Sequence, residues 1–128
     1  RIKGVLILDM TAFHRGEQRG LMLEGRAISS PLADAVAASA ARYTQLKVER
    51  TLEAWGSDHV PFLDEGIPAL LTFELDYPVN GKQHSLRDTM EIVDAEQAAA
   101  IARADIGALA VLTGLSARSQ LAARPANR

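Results

Sequence analysis

Cysteine is absent from the 128 residues, which excludes disulfides, thiolate metal sites and a cysteine nucleophile, and leaves the redox compartment open. No strong charge of either sign is present. The formal net charge is −2, so nothing electrostatic calls for nucleic acid or an anionic membrane surface as partner. No apolar run approaches the roughly 20 residues that cross a bilayer. No signal peptide is visible within these residues either, because "RIKGVLILDM" enters strand-like sequence at once. There is no initiator methionine at position 1, and a segment preceding Arg1 is expected.

What remains suits one domain with one core: 48% of the residues are apolar. "GVLILDM" (Gly4 to Met10) and "IPALLTFE" (Ile67 to Glu74) are continuous apolar runs of the kind found in strands covered on both faces. "RGEQRGLMLEGR" reads as loop, with a short strand at Leu21 to Leu23. "KVERTL" alternates and suits a less buried strand. Ser30 before Pro31 predicts a helix start, with Leu32, Val36, Ala40 and Tyr43 as its buried stripe. "VPFLDEG" suits one or two helical turns stopped at Gly66. Pro78 and Asn80-Gly81 mark a loop. Asp94 followed by Gln97 predicts a capped helix running to Gly114 with Ile101, Ile106, Leu109 and Leu112 on its apolar face and Asp105 as an exception. Residues 115–128 lack periodic burial and are expected to fray. Alternating strands and helices make the fold class α/β with a largely parallel sheet.

In open α/β sheets, ligands bind beyond the carboxyl ends of strands. Asp9, the Asp58 region and Glu74 stand at such ends, and His84 lies on the loop after the last strand. An acid ending a buried strand is costly unless paired or coordinated. Carboxylate and imidazole are ordinary zinc ligands; a helix cap or loop acceptor is the alternative for any one of them. The adjacent Ser57, Asp58 and His59 invite a hydrolase triad. Neighbouring side chains in an extended segment point to opposite faces and cannot converge, and no Gly-x-Ser-x-Gly elbow occurs.

Three blocks in order, "LDM", "SDHVPFLDEGIPAL" and "HSLRDT" leading into "VDAEQ", resemble the co-catalytic dizinc aminopeptidase family, which includes carboxypeptidases and is related to the glutaminyl cyclases. The likeness runs from Val5 to Gly114. It implies part of a three-layer α/β/α sandwich around a mixed, largely parallel sheet, a phosphorylase/hydrolase-like zinc peptidase fold. By the same resemblance, Asp9 matches a ligand of one zinc and His84 a ligand of the other. Asp58 would lie at the rim of the site and His59 would brace the helical turn after it. Asp88 and Thr89 would orient the loop, and Tyr77 to Gln83 would line the specificity pocket. Ser85 stands where relatives carry Thr. His14 matches no ligand.

The resemblance places the first His, the bridging Asp and the Glu-Glu pair that supplies the general base ahead of "LDM", so this chain holds no catalytic base of its own. The implied function is the C-terminal part of a zinc-dependent aminopeptidase acting on peptides by two-metal activation of water, with zinc weakly bound or absent in this span and the span itself inactive. Relatives are commonly periplasmic or secreted. An uncovered sheet edge would permit a homodimer. Two other functions fit the same scaffold: a glutaminyl-cyclase-like acyltransferase, which needs an aromatic pocket where "DYPVNGKQ" has only Tyr77, and a non-catalytic α/β dimerisation domain.

Overall fold

The structure is a computed structural model and describes residues 1–115. Four strands form one mixed sheet: β1 (Val5–Leu8), β2 (Gly20–Glu24), β3 (Lys47–Thr51) and β4 (Ala69–Glu74), in the order β1-β4-β2-β3. β1 runs parallel to β4 and β3 parallel to β2, while β2 and β4 are antiparallel. The helices are α1 (Ser30–Tyr43), α2 (Val60–Asp64) and α3 (Ala95–Leu112).

The apolar run of β4 is buried at all six positions, as an inner strand flanked on both sides must be. β2 is longer and more central than its loop-like flanks predict. Its Leu21 and Leu23 point into the core and pair in register with Glu74 and Thr72. Gly20 is required there: a Cβ would lie 2.6 Å from that of Leu75. Alternation then divides the sheet into two faces. Leu21, Leu23 and Leu70 pack with α1 and α3 in the main core. Leu71 and Phe73, also buried, look the other way.

Two helix boundaries depart from the sequence reading. A 3-10 turn (Ala27–Ser29) precedes α1, so Ser29 rather than Ser30 holds the N-cap position, and neither side chain caps. The buried Ser29 Oγ instead donates to the Ala69 carbonyl at 2.6 Å and accepts its N–H at 3.2 Å. The stripe of α1 is Leu32, Ala33, Val36, Ser39 and Ala40. Tyr43 lies outside it, exposed, with the Arg42 guanidinium 5.5 Å from its ring.

α3 begins as predicted, with Asp94 accepting the Glu96 and Gln97 N–H groups at 3.0 and 3.1 Å. The capping box stays half-formed, because Gln97 Nε2 turns to the Gly20 carbonyl at 2.6 Å. The buried face is Ala100, Ile101, Ala104, Asp105 and Ala108, whereas Ile106, Leu109 and Leu112 are exposed. Small residues win this face because α1 crosses closely. A Cβ on Gly107 would collide with Ser39 Oγ and stand 3.0 Å from the Tyr43 ring. Gly107→Ala is therefore expected to destabilise by about 1–3 kcal/mol through overpacking, although alanine is the better helix former. Urea unfolding measures this, and a neutral or stabilising result would rule out so tight a crossing.

The displaced apolar line of α3 leaves a groove of about 910 Å³ beside β1, lined by Leu8, Leu32, Asp105, Ile106 and Leu109 among others. No strand pairs with the outer edge of β1 among the described residues. Of the tail expected to fray, all but Leu115 lies outside the described residues.

Candidate active site

Two parallel strands, β1 and β4, end on the same side of the sheet, and the chemistry-bearing residues follow those ends. Asp9 leaves β1 with its N–H on the Thr72 carbonyl at 3.3 Å. Its carboxylate is exposed, and Oδ2 accepts the Ser57 hydroxyl at 3.2 Å. The next residue, Met10, takes a left-handed backbone with φ 47, and its carbonyl accepts the Glu74 N–H at 2.9 Å. His84 is also exposed and left-handed, with φ 59. These are the two non-glycine residues with positive φ among the described residues. Such strain persists only where surrounding structure enforces it and clusters at functional sites.

The Ser-Asp-His block is held by an acid on another strand, which no motif marks. Glu24, buried at the end of β2, accepts the Trp55 N–H at 2.9 Å, and its Oε1 lies 3.2 Å from His59 Nε2. His59 is fully buried, and neither ring nitrogen makes a well-directed hydrogen bond. The short distance and the poor direction conflict. We read the contact as polar packing rather than an ion pair, because burial outweighs the pull of Glu24 and lowers the imidazole pKa below 6.5. His59 occupies the N-cap position of α2 without capping it through its side chain. Asp58 is exposed beside it. The signal for Glu24 was present in the sequence: like Asp9 and Glu74, it is an acid ending an apolar run.

His59 is thus expected to be less than half protonated at pH 6.5, where a free histidine is half protonated. The unfolded chain takes up the proton first as pH falls, so this residue removes stability on acidification below that pH. Imidazole nitrogen shifts measured by NMR check this, and a half-protonated ring at pH 6.5 would contradict it.

Two further acids staple the loops after β1 and β4 together. Glu74 is buried, and burial raises its pKa even though Oε2 accepts the Phe13 N–H and Oε1 accepts the Asn80 amide, both at 3.0 Å. Asn80 therefore serves as an internal donor rather than a left-handed turn residue. Asp76 accepts the Arg15 N–H at 2.9 Å and the Gly16 N–H at 3.3 Å, with His14 Nδ1 3.2 Å away, and these bonds hold its carboxyl below the usual range. Tyr77 packs edge-on against Phe73, with centroids 4.9 Å apart. Asp88 is exposed and lines a cavity of about 120 Å³ with Met10, Glu74, Asn80 and Gln83, between the Asp9 side and the His84 loop. Thr89 precedes a 3-10 turn (Met90–Ile92) without capping it by its side chain. Ser85 Oγ donates to the Lys82 carbonyl at 2.6 Å and shapes the loop from within.

The sequence model of peptidase family M28 matches residues 1–109. The chain belongs to peptidase family M28. Among solved structures it is similar to the aminopeptidase from Aneurinibacillus sp. strain AM-1, with 28% sequence identity and a TM-score of 0.61. That match covers 87% of this chain and 25% of the other, so the chain spans about a quarter of the aminopeptidase. No curated protein sequence matches it. The mixed four-stranded sheet with its helices is accordingly a portion of an M28 α/β fold.

Zinc is the metal that this family resemblance implies. Asp9 and His84 offer the right donor types on this M28 chain, and no ion pair among the described residues occupies either. Donor number does not fit: no three His, Asp or Glu residues among those described could hold one ion. Asp9 directly follows β1 and His84 lies on the loop after β4, and no hydrogen bond or shared cluster joins them among the described residues. Asp58, Tyr77, Asp88 and Thr89 make no hydrogen bond to the Asp9 carboxylate or the His84 imidazole among the described residues.

Proposed function

We propose that this chain supplies part of the catalytic domain of a zinc-dependent M28 aminopeptidase that hydrolyses N-terminal peptide bonds. One observation carries the reading: the strained non-glycine backbones flank Asp9 and fall on His84 itself, the two residues that the family pattern assigns to separate zinc ions. When bound, two zinc ions would supply an acidified water and a polarised carbonyl. The contribution of this chain is positional. β1 presents Asp9, Ser57 orients its carboxylate from behind, and the His84 loop is braced by Ser85. Such outer hydrogen bonds fix ligand direction. The general base and the remaining ligands would come from other residues of the full-length gene product, and the 128 residues alone would bind zinc weakly and lack activity. Asp58 would meet substrate at the rim, Tyr77 would border the specificity pocket, and Asp88 and Thr89 would steady the His84 loop.

Hydrolysis of leucine p-nitroanilide by the full-length gene product, with and without chelator, tests the reading. Zinc-restorable activity is expected; a protein inert with added zinc would refute it. The open edge of β1 and the groove beside it also suit a second copy of the chain. Sedimentation of the 128-residue chain should then show a dimer, and a monomer at high micromolar concentration would dismiss that idea.

A further inference from the structure

A second cleft, of about 430 Å³, adjoins the candidate site, sharing Phe13 and Asn80 with the small cavity that reaches Met10 and Asp88. The charged groups in its lining are all basic: Arg15, Lys82 and Arg87, with His14 beside them. In a chain whose net charge is −2, three cations line this one cleft, and the adjoining Asp76 carboxylate is engaged by the Arg15 and Gly16 amides and His14. Neither Lys82 nor the Arg15 side chain has an ion-pair partner among the described residues. Arg87 spends one N–H on the Gly81 carbonyl at 3.2 Å and keeps its other donors.

The walls of this cleft are built rather than incidental. Glu74 ties Phe13 on one wall to Asn80 on the other. Asp76 fixes the Arg15 and Gly16 amides, and the Arg87–Gly81 bond closes the far side. Two buried or bonded acids therefore hold the backbone from which the cations project, while the cations themselves face solvent. Guanidinium groups presented this way match a carboxylate in two-point geometry, and an ammonium adds charge without direction.

We propose that this cleft receives the carboxylate of an acidic residue at the first or second position of a peptide substrate, an inference that rests on the peptidase reading above. The cleft opens between the loops that carry Asp9 and His84 away from the sheet, so an anionic side chain seated there lies next to the bond presented to the site. Lys82 and Arg87 supply the direct contacts, and Arg15 adds to the field.

Calorimetry on the full-length gene product, stripped of metal by chelator so that nothing is cleaved, compares Glu-Ala-Ala, Ala-Glu-Ala, Ala-Ala-Ala and Lys-Ala-Ala. At least one acidic peptide should bind about tenfold or more tightly than Ala-Ala-Ala, as one charge-assisted hydrogen bond would give, and the gap should shrink as salt rises. Lys82→Glu with Arg87→Glu should abolish the preference or turn it toward Lys-Ala-Ala. Lys82→Glu alone, which leaves the Arg87–Gly81 bond intact, should reduce it. Equal affinity for all four peptides, or a preference untouched by charge reversal, would overturn the proposal. Turnover of the same peptides with zinc restored keeps the two readings apart. Cleavage without acidic preference defeats only this proposal, whereas no cleavage of any peptide defeats the peptidase reading and leaves the binding order to decide the cleft.

Discussion

Replacement of Asp105 by asparagine is expected to stabilise the protein by about 2 kcal/mol at pH 7–8 and to have little effect near pH 4. The side chain is buried between α3 and β4. Its Oδ2 accepts the Thr72 hydroxyl at 2.7 Å, and its Oδ1 has no partner. Burial pushes the carboxyl from 3.8 up to about 6, against the weaker opposing pull of the Thr72 bond. The sign follows from proton uptake. Below pH 3.8 both folded and unfolded chains hold the proton. Between there and pH 6 the unfolded chain releases it and the folded chain keeps it, so stability falls as pH rises. Above pH 6 the full penalty is present, about two pH units at 1.36 kcal/mol each, or about 3 kcal/mol.

Asparagine removes that charge and can still accept the Thr72 hydroxyl. Its amide inherits the unpartnered position, which returns about 1 kcal/mol of the gain. The trend opposes that of His59, which weakens the fold on acidification. Wild-type stability should therefore vary less with pH than either residue alone would dictate, and Asp105→Asn should expose the His59 trend. Urea unfolding at pH 4, 6 and 8 measures both. An asparagine variant no more stable than wild type at pH 8 would mean that the carboxylate is solvated in the groove it lines.

Alanine at Asp9 or at His84 is expected to lower kcat/KM of the full-length gene product by at least about 100-fold, since even outer-shell partners of a metal are worth about 10–100-fold. Folding of the metal-free protein should hardly respond. Both side chains are exposed, and surface changes of this kind stay within about 0.5 kcal/mol. His84→Gly sharpens the distinction. Glycine accepts a φ of 59 without strain, so this variant should keep or gain stability, by up to about 1 kcal/mol, while losing activity. A residue kept in an unfavourable conformation for structural reasons would show the reverse. Equal losses of stability and activity on His84→Ala would assign it to the fold rather than to the site.

What the sequence disclosed divides along physical lines. β4 and the start of α3 were legible because their signals are local: a continuous apolar run in "ALLTFE" and the Asp94 cap. The stop at Gly66 was equally local, its φ of +71 matching the left-handed position expected there. The buried face of α3 was not legible, because the closeness of α1 decided it. Periodicity favoured Ile106 and Leu109, yet only Ala104, Gly107 and Ala108 fit against Ser39 and Ala40. Asp105 interrupts the apolar pattern in the sequence, yet it lies inside. β2 was underestimated because polar, glycine-punctuated flanks hid a strand whose place in the sheet comes from pairing with β4.

For the candidate site, motif order brought out Asp9, His84 and the Ser-Asp-His block. The supports beneath them are contacts across the sequence that no spacing reveals. Glu24 meets His59 and Trp55 from another strand, and Asp76 reaches back some 60 residues to Arg15 and Gly16.

Metal content of the full-length gene product, measured by elemental analysis after equilibration with limiting zinc, tests the assignment of Asp9 and His84 most directly. Wild type is expected to retain two zinc ions per chain, and Asp9→Ala and His84→Ala should each retain fewer while unfolding, with chelator present, at the urea midpoint of metal-free wild type. Wild-type zinc content in both variants would contradict the assignment, whatever their activity.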